Sequence, residues 1–272
     1  MPIAMRGNDR PDPNEVPQDF SELMANRRGI TDQKELEKKV QRVRKEALKR
    51  DRNPYLKSYR FVTPTIQLTE EYNTRVLPAL KGGGTILLDV GTGFTQDLQQ
   101  LLKNGVDKGK LYGLDKDSWP IDLGTELFGD GLEKDHLFTD IDMRETNAPD
   151  GKIKELGLMD KVNFLYVSKF FHLFTGSDRT TVAVNLLELM VKDGTGLIMG
   201  WTSYEKEALG SEKAMNERTW QQLWKFASKS FNYDDRDTRV EEINAKLIDI
   251  PRSPEQGEKY LVQFIVTATF GH

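Results

Sequence analysis

Two carboxylates and a pair of glycines stand at the spacing from which a nucleoside site is built. Residues 87–95 read LLDVGTGFT and residues 111–115 read LYGLD. An apolar run ending in an acid, a glycine turn, a helix and a second apolar run ending in Asp115 make a nucleotide-binding half-sheet. Gly91 and Gly93 supply a tight turn and let backbone come close to a ligand. Asp115 follows Gly93 by 22 residues, the spacing of an acid that accepts ribose hydroxyls. The third position of a dinucleotide fingerprint holds Gln96 where a small residue belongs, which disfavours a pyrophosphate cradle. The favoured ligand is a nucleoside without phosphates, its polar tail over the turn and its ribose on Asp115. S-adenosylmethionine fits that description.

A second group of residues has the chemistry of an acceptor site. Ser168 closes a predicted strand at 162–167, the ligand-binding edge of an open α/β sheet. His172 lies four residues beyond, among Phe170, Phe171 and Phe174. Such a histidine has either a direct role or a packing role, and the residues alone leave both open. Methyl transfer from a sulfonium is an in-line displacement to which a protein contributes mainly proximity and orientation. A carboxylate acceptor, with a pKa near 4, is ionised at neutral pH and needs no base. A phenol, with a pKa near 10, benefits from one, and His172 is the histidine placed to serve. Trp119, Trp201, Trp220 and Trp224 either line an apolar acceptor pocket or pack the core. Asp234, Asp235 and Asp237 lack the ligand spacing and central glycine of a calcium loop, so no metal is expected.

The elements that position these groups alternate. Strands are predicted at 86–90, 110–115, 136–139, 162–167 and 196–201, and helices at 96–104, 119–128 and 179–191, which implies a parallel sheet with helices on both faces. Two β-rich runs, 245–250 and 260–270, are joined by PRSPEQG and read as an antiparallel hairpin closing one edge of the sheet. Tyr260, Val262, Phe264, Val266, Ala268 and Phe270 share one face of the second run. Upstream, residues 1–30 read as a Pro-interrupted arm, flexible or hugging the surface, with Phe20, Leu23 and Met24 available for docking. Residues 31–80 form a helical region. There Thr31 and Asp32 offer N-caps, and Leu36, Val40, Val43 and Ala47 make one narrow apolar stripe on a charged helix. A break at Asn53 and Pro54 precedes a second helical segment at 69–80. Residues 81–272 carry the nucleoside-binding domain.

Composition bounds the partners. With 30% charged residues and a formal net charge of −4, nothing suggests a nucleic-acid footprint. The absence of cysteine excludes disulfides and thiolate chemistry. Residues 1–19 contain Pro2, Pro11, Pro13 and Pro17 and no apolar run, so neither a signal peptide nor a membrane span is read there. A cytoplasmic protein, monomer or homodimer, acting on a small apolar molecule is expected.

Six segments carry a resemblance: NPYLKSYRF at 53–61, LLDVGTGFTQDLQQLL at 87–102, LYGLD at 111–115, DLGTELF at 122–128, SKFFHLF at 168–174 and LIMG at 197–200. On these the chain resembles fungal class I S-adenosylmethionine-dependent methyltransferases of natural-product pathways, particularly the meroterpenoid carboxyl O-methyltransferases. It departs from them at the turn, where Thr92, Gly93 and Thr95 stand in place of two cysteines and a glycine. The resemblance implies a Rossmann-like α/β fold with a seven-stranded, mostly parallel sheet, an antiparallel C-terminal hairpin strand and an N-terminal helical cap. It implies that Gly91, Thr92 and Gly93 bound the methionine side and that Asp89 positions the turn or meets the cofactor ammonium. Asp115 then takes the ribose, while Asp140 and Ile141 meet the adenine amine and ring. Tyr59 and Arg60 contact the cofactor carboxylate or the substrate, or else tie segments together. The implied reaction is carboxyl O-methylation of an apolar polyketide or terpenoid acid. The alternatives are a phenol, amine or carbon acceptor, or a cofactor-binding protein that does not methylate.

Overall fold

The structure is a computed structural model and describes residues 16–52, 54–57, 59–145, 152–205, 216–233, 239–249 and 259–271. In chain order it comprises α1 (Gln18–Arg28), α2 (Gln33–Arg50), α3 (Leu77–Gly82), β1 (Leu87–Val90), α4 (Gln96–Lys103), β2 (Leu111–Leu114), α5 (Ser118–Phe128), β3 (Leu137–Phe138), α6 (Lys152–Glu155), β4 (Phe164–Tyr166), α7 (Gly176–Leu189), β5 (Gly194–Glu205), α8 (Glu217–Tyr233), β6 (Arg239–Asp249) and β7 (Lys259–Gly271). The strands form one seven-stranded sheet in the order β3-β2-β1-β4-β5-β7-β6. Pairings β2 with β3, β1 with β4 and β4 with β5 are parallel, whereas β7 runs antiparallel to both β5 and β6. The expected fold, mostly parallel and closed by a C-terminal hairpin, is the one found. Residues 250–258, which join the hairpin, lie outside the described part, as do Asp234, Asp235 and Asp237.

The chain divides into two compact units, Met1–Gly84 with Gly91–Asp140, and Thr85–Val90 with Ile141–His272. In the first unit Leu36, Val40, Val43 and Ala47 of α2 are all buried, and Asp32 caps the helix by accepting the Glu35 N–H at 2.8 Å. The expectation of a flexible arm through residue 30 does not hold from Gln18 onward. Phe20, Leu23 and Met24 lie at i, i+3 and i+4, one helical face, and all three are fully buried. Phe20 packs edge-on against Phe128 at 5.8 Å, and Arg27 Nε donates to Gln99 Oε1 at 3.0 Å. Residues 69–80 begin as a widened helical turn, Tyr72–Val76, that runs into α3.

The glycine of DLGTELF has a packing reason. A Cβ at Gly124 would stand 2.4 Å from the carbonyl oxygen of Phe94, so α5 lies directly against backbone of the glycine turn. An exposed helix would gain about 1 kcal/mol from Gly→Ala. Here the clash outweighs that gain, and Gly124→Ala is expected to lose a net of about 1–2 kcal/mol in urea unfolding.

In the second unit β1 and β4 are buried along their whole length, as central parallel strands are. Strand β7 is buried on both faces: Ile265 and Gln263 as well as Phe264, Val266, Ala268 and Phe270. It lies between β5 and β6, which is why alternation alone described only half of it. Helix α8 has no counterpart in the sequence reading. Its Trp220, Trp224, Ala227 and Phe231 are fully buried, at helical spacings of four, three and four. Among the described residues no helix is long and apolar enough to cross a membrane.

Candidate functional site

In the first unit the glycine turn and the end of β2 are built as one piece. Gly91 (φ 73°) and Gly93 (φ 54°) both hold left-handed backbone, where a side chain is strained. The N–H groups of Gly91 and Thr92 both donate to the Leu114 carbonyl, at 2.9 and 3.0 Å. The Gly93 N–H then donates to Asp115 Oδ2 at 3.0 Å, and the Asp117 N–H to Oδ1 at 3.1 Å. The Lys116 backbone N–H adds a third bond to the same carboxylate, and of its roughly four lone-pair sites about one is left for a further donor. A Cβ at Gly93 would meet nothing within 4 Å, so the turn offers an open backbone face beside that carboxylate. Burial pushes the Asp115 pKa above its ordinary value, and the N–H groups of Asp117 and Gly93 oppose it.

The start of α4 carries a buried carboxylate. Asp97, only 2% exposed, accepts from the N–H groups of Thr65 and Ile66 at 2.6 and 2.7 Å, and its other oxygen accepts from Gln96 Nε2 at 3.1 Å. A buried carboxylate in the first helical turn takes up the favourable end of the helix dipole and repels an anion there. Sequence reasoning used Gln96 against a pyrophosphate and missed Asp97, which carries the stronger reason. The helix-dipole preference for acids in the first turn was the available signal.

The remaining predicted residues are spread more widely. The Thr92 side chain is buried and packs where a Cβ on Gly113 would be 3.1 Å away, beneath the turn. Tyr59 is buried in the helical region. Its hydroxyl accepts from Gln41 Nε2 at 3.0 Å, and the Arg44 guanidinium lies 5.7 Å from its ring. This placement supports the packing role for Tyr59. Arg60 shares the same short turn, Tyr59–Phe61, its side chain outside the described part. Tyr55, from the same sequence segment and not singled out there, comes near Asp115 instead. Burial raises its hydroxyl pKa well above the ordinary value, and the charges of Asp51, Asp115 and Asp117 raise it further. Trp119 is half-buried, edge-on to Phe94 at 6.0 Å, with Phe61 on Phe94 at 5.0 Å. Asp140 is exposed in left-handed backbone (φ 61°) and accepts from Thr139 Oγ1 at 3.2 Å. Asp89 and Ile141 belong to the second unit, both buried, Asp89 in register with Tyr166.

Also in the second unit, Ser168 and His172 follow β4 as predicted. The Val167 N–H donates to Met199, and Lys169, in left-handed backbone (φ 55°), donates its N–H to the Trp201 carbonyl at 2.5 Å. These two bonds hold the strand end that carries Ser168. Ser168 Oγ and His172 Nδ1 are buried without a hydrogen-bond partner, a costly arrangement. Burial lowers the His172 pKa below its ordinary value, and the charges of Lys169 and Arg179 lower it further, so the ring is neutral at pH 7. The aromatic setting is divided. Phe171 is fully buried against Trp220, Trp224 and Phe264 at 5.1–5.8 Å, so it and these two tryptophans pack in the core. Phe170 and Phe174 are half-buried and pair edge-on at 4.8 Å. Trp201 is 4% exposed. Among the described residues no cluster of three or more His, Asp or Glu could hold a metal ion.

No family model matches the chain. Among curated proteins it is similar to the Asnovolin E/Chermesin D methyltransferase nvfJ of Aspergillus novofumigatus, with 29% identity over 201 residues, 71% of this chain and 70% of that one. It is 27% identical over 157 residues to the O-methyltransferase phiE of a fungal species, covering 55% of this chain and 51% of that one. It is 30% identical over 151 residues to the methyltransferase adrK of Penicillium rubens, 52% of each chain. Against the second and third the matched part spans about half of the relative's length. All three are fungal proteins named methyltransferases.

Proposed function

We propose that the chain is an S-adenosylmethionine-dependent methyltransferase that esterifies a carboxyl group on an apolar secondary metabolite, a polyketide or terpenoid acid. The observation that carries this reading is the Asp115 carboxylate, tied to the Gly93 N–H and held by neighbouring backbone N–H groups beside an open glycine backbone. The hydroxyls of a ribose suit that arrangement, and the buried Asp97 disfavours a pyrophosphate. The names of the fungal relatives point the same way, one of them an O-methyltransferase.

When bound, the cofactor supplies an electrophilic methyl group on a sulfonium. The residues of the chain hold and orient. Asp115 accepts the ribose hydroxyls, and Gly91, Thr92 and Gly93 admit the methionine side. Asp89 positions the turn or meets the ammonium, and Asp140 and Ile141 serve the adenine. Ser168 and His172 hold the acceptor through their unpartnered atoms. With cationic groups around it, His172 is held uncharged, a setting that favours an anionic acceptor already ionised at pH 7. Incubation with methyl-labelled cofactor and a panel of polyketide and terpenoid acids, read by mass spectrometry, is expected to yield labelled methyl esters. Label on ring carbon or amine products alone contradicts the ester reading.

A phenol acceptor is the second reading, favoured by the neutral imidazole, which can take a proton at pH 7. Replacing His172 by Asn separates the two. For a carboxylate, activity persists and the rate changes little between about pH 7 and 9. For a phenol, the variant loses about a hundredfold or more and recovers in alkali.

A further inference from the structure

Arg179 opens the helical part of α7 that was read from sequence, yet it is only 7% exposed. Its Nη2 donates to the Phe174 carbonyl at 2.6 Å, while its Nε is buried with no partner. No carboxylate among the described residues pairs with it. Asp178, next to it in sequence, lies instead within 3.9 Å of Arg144, which is itself held by Asp142. A buried guanidinium without a counter-charge is costly to fold around, because desolvation removes water and the bond to the Phe174 carbonyl replaces only part of it. Its field is little screened, and His172 feels it.

We infer that Arg179 is the specificity-determining residue for the acceptor, a fixed cation near His172 and Phe174 with no carboxylate partner among the described residues, which selects anionic acceptors over neutral isosteres. The inference rests on the reading of Ser168 and His172 as the acceptor side. An incoming carboxylate supplies the counter-charge that the described residues do not, so the interaction gains most when the ligand is charged. A neutral amide of the same shape gains none of it. Arg179 also holds the Phe174 carbonyl and thereby the half-buried pair of Phe170 and Phe174, so charge and apolar surface are presented together.

The test compares benzoate with benzamide, titrated calorimetrically into the chain with and without S-adenosylhomocysteine. The wild type is expected to prefer benzoate by about tenfold or more. R179Q, which keeps a donor to the Phe174 carbonyl and removes the charge, is expected to bind both equally. R179K, which keeps the charge, is expected to retain most of the preference. Equal binding by the wild type, or a benzoate preference that survives in R179Q, overturns the inference. Should R179Q fail to fold, R179K decides, and loss of the preference there overturns the charge argument. S-adenosylhomocysteine affinity, measured on the same proteins, reports the cofactor reading separately. If the wild type fails to bind it, that reading falls, while the benzoate comparison on the free chain still judges Arg179.

Discussion

Truncating Phe171 to alanine is expected to cost about 3–5 kcal/mol of folding stability, the range for removing a large aromatic ring from a packed interior. The ring is fully buried and meets Trp220, Trp224 and Phe264 edge-on, three residues from two different elements, α8 and β7. None of these neighbours can collapse into the space without losing contacts of its own, so the cavity persists and raises the cost. Phe170, half-buried and paired only with Phe174 among the ring contacts, is expected to lose clearly less on the same change. Urea unfolding of both variants checks the contrast. Equal losses would show that Phe171 is not the anchor of the segment that presents His172.

Replacing Asp115 by alanine is expected to weaken S-adenosylmethionine binding by about 1–3 kcal/mol, about fivefold to more than a hundredfold. The change removes the acceptor of the sugar hydroxyls and leaves the Gly93 N–H without its partner. Stability also depends on the charge of this carboxyl, and the sign follows from the shift. Burial raises the Asp115 pKa above its unfolded value, so the folded state binds more protons between the two values. Stability therefore falls as pH rises through that window and is restored in acid. Asp115→Asn, with no charge to desolvate, is expected to unfold no earlier than the wild type at pH 7 while binding the cofactor more weakly. Calorimetry and thermal unfolding on one protein sample distinguish a binding role from a structural one. Unchanged affinity in the alanine variant rejects the ribose role.

The sheet was legible because its central strands are short continuous apolar runs separated by helical spacing, as at Leu87–Val90 and Phe164–Tyr166. Asp115 and the two glycines were legible for a different reason: a turn that needs left-handed backbone restricts residue type. Contacts made across the sequence were not. Tyr55 and Tyr59 stand four residues apart in one segment, and nothing local says which comes near Asp115 and which packs under α2. Asp97 looks like an ordinary first-turn acid until the N–H groups of Thr65 and Ile66, 32 and 31 residues earlier, are found bonded to it. Helix α8 was readable from its tryptophan spacing, and weighing those tryptophans as pocket residues hid the periodicity. The arm ended where Phe20, Leu23 and Met24 found a surface to cover, a fact that belongs to packing.

Titration of the wild-type chain with S-adenosylmethionine and, separately, with NAD tests the central claim most directly. One site for S-adenosylmethionine and no measurable heat with NAD is the expected result, since the Asp115 carboxylate serves a ribose and the buried Asp97 opposes a pyrophosphate at α4. Binding of NAD, or of neither ligand, contradicts the account.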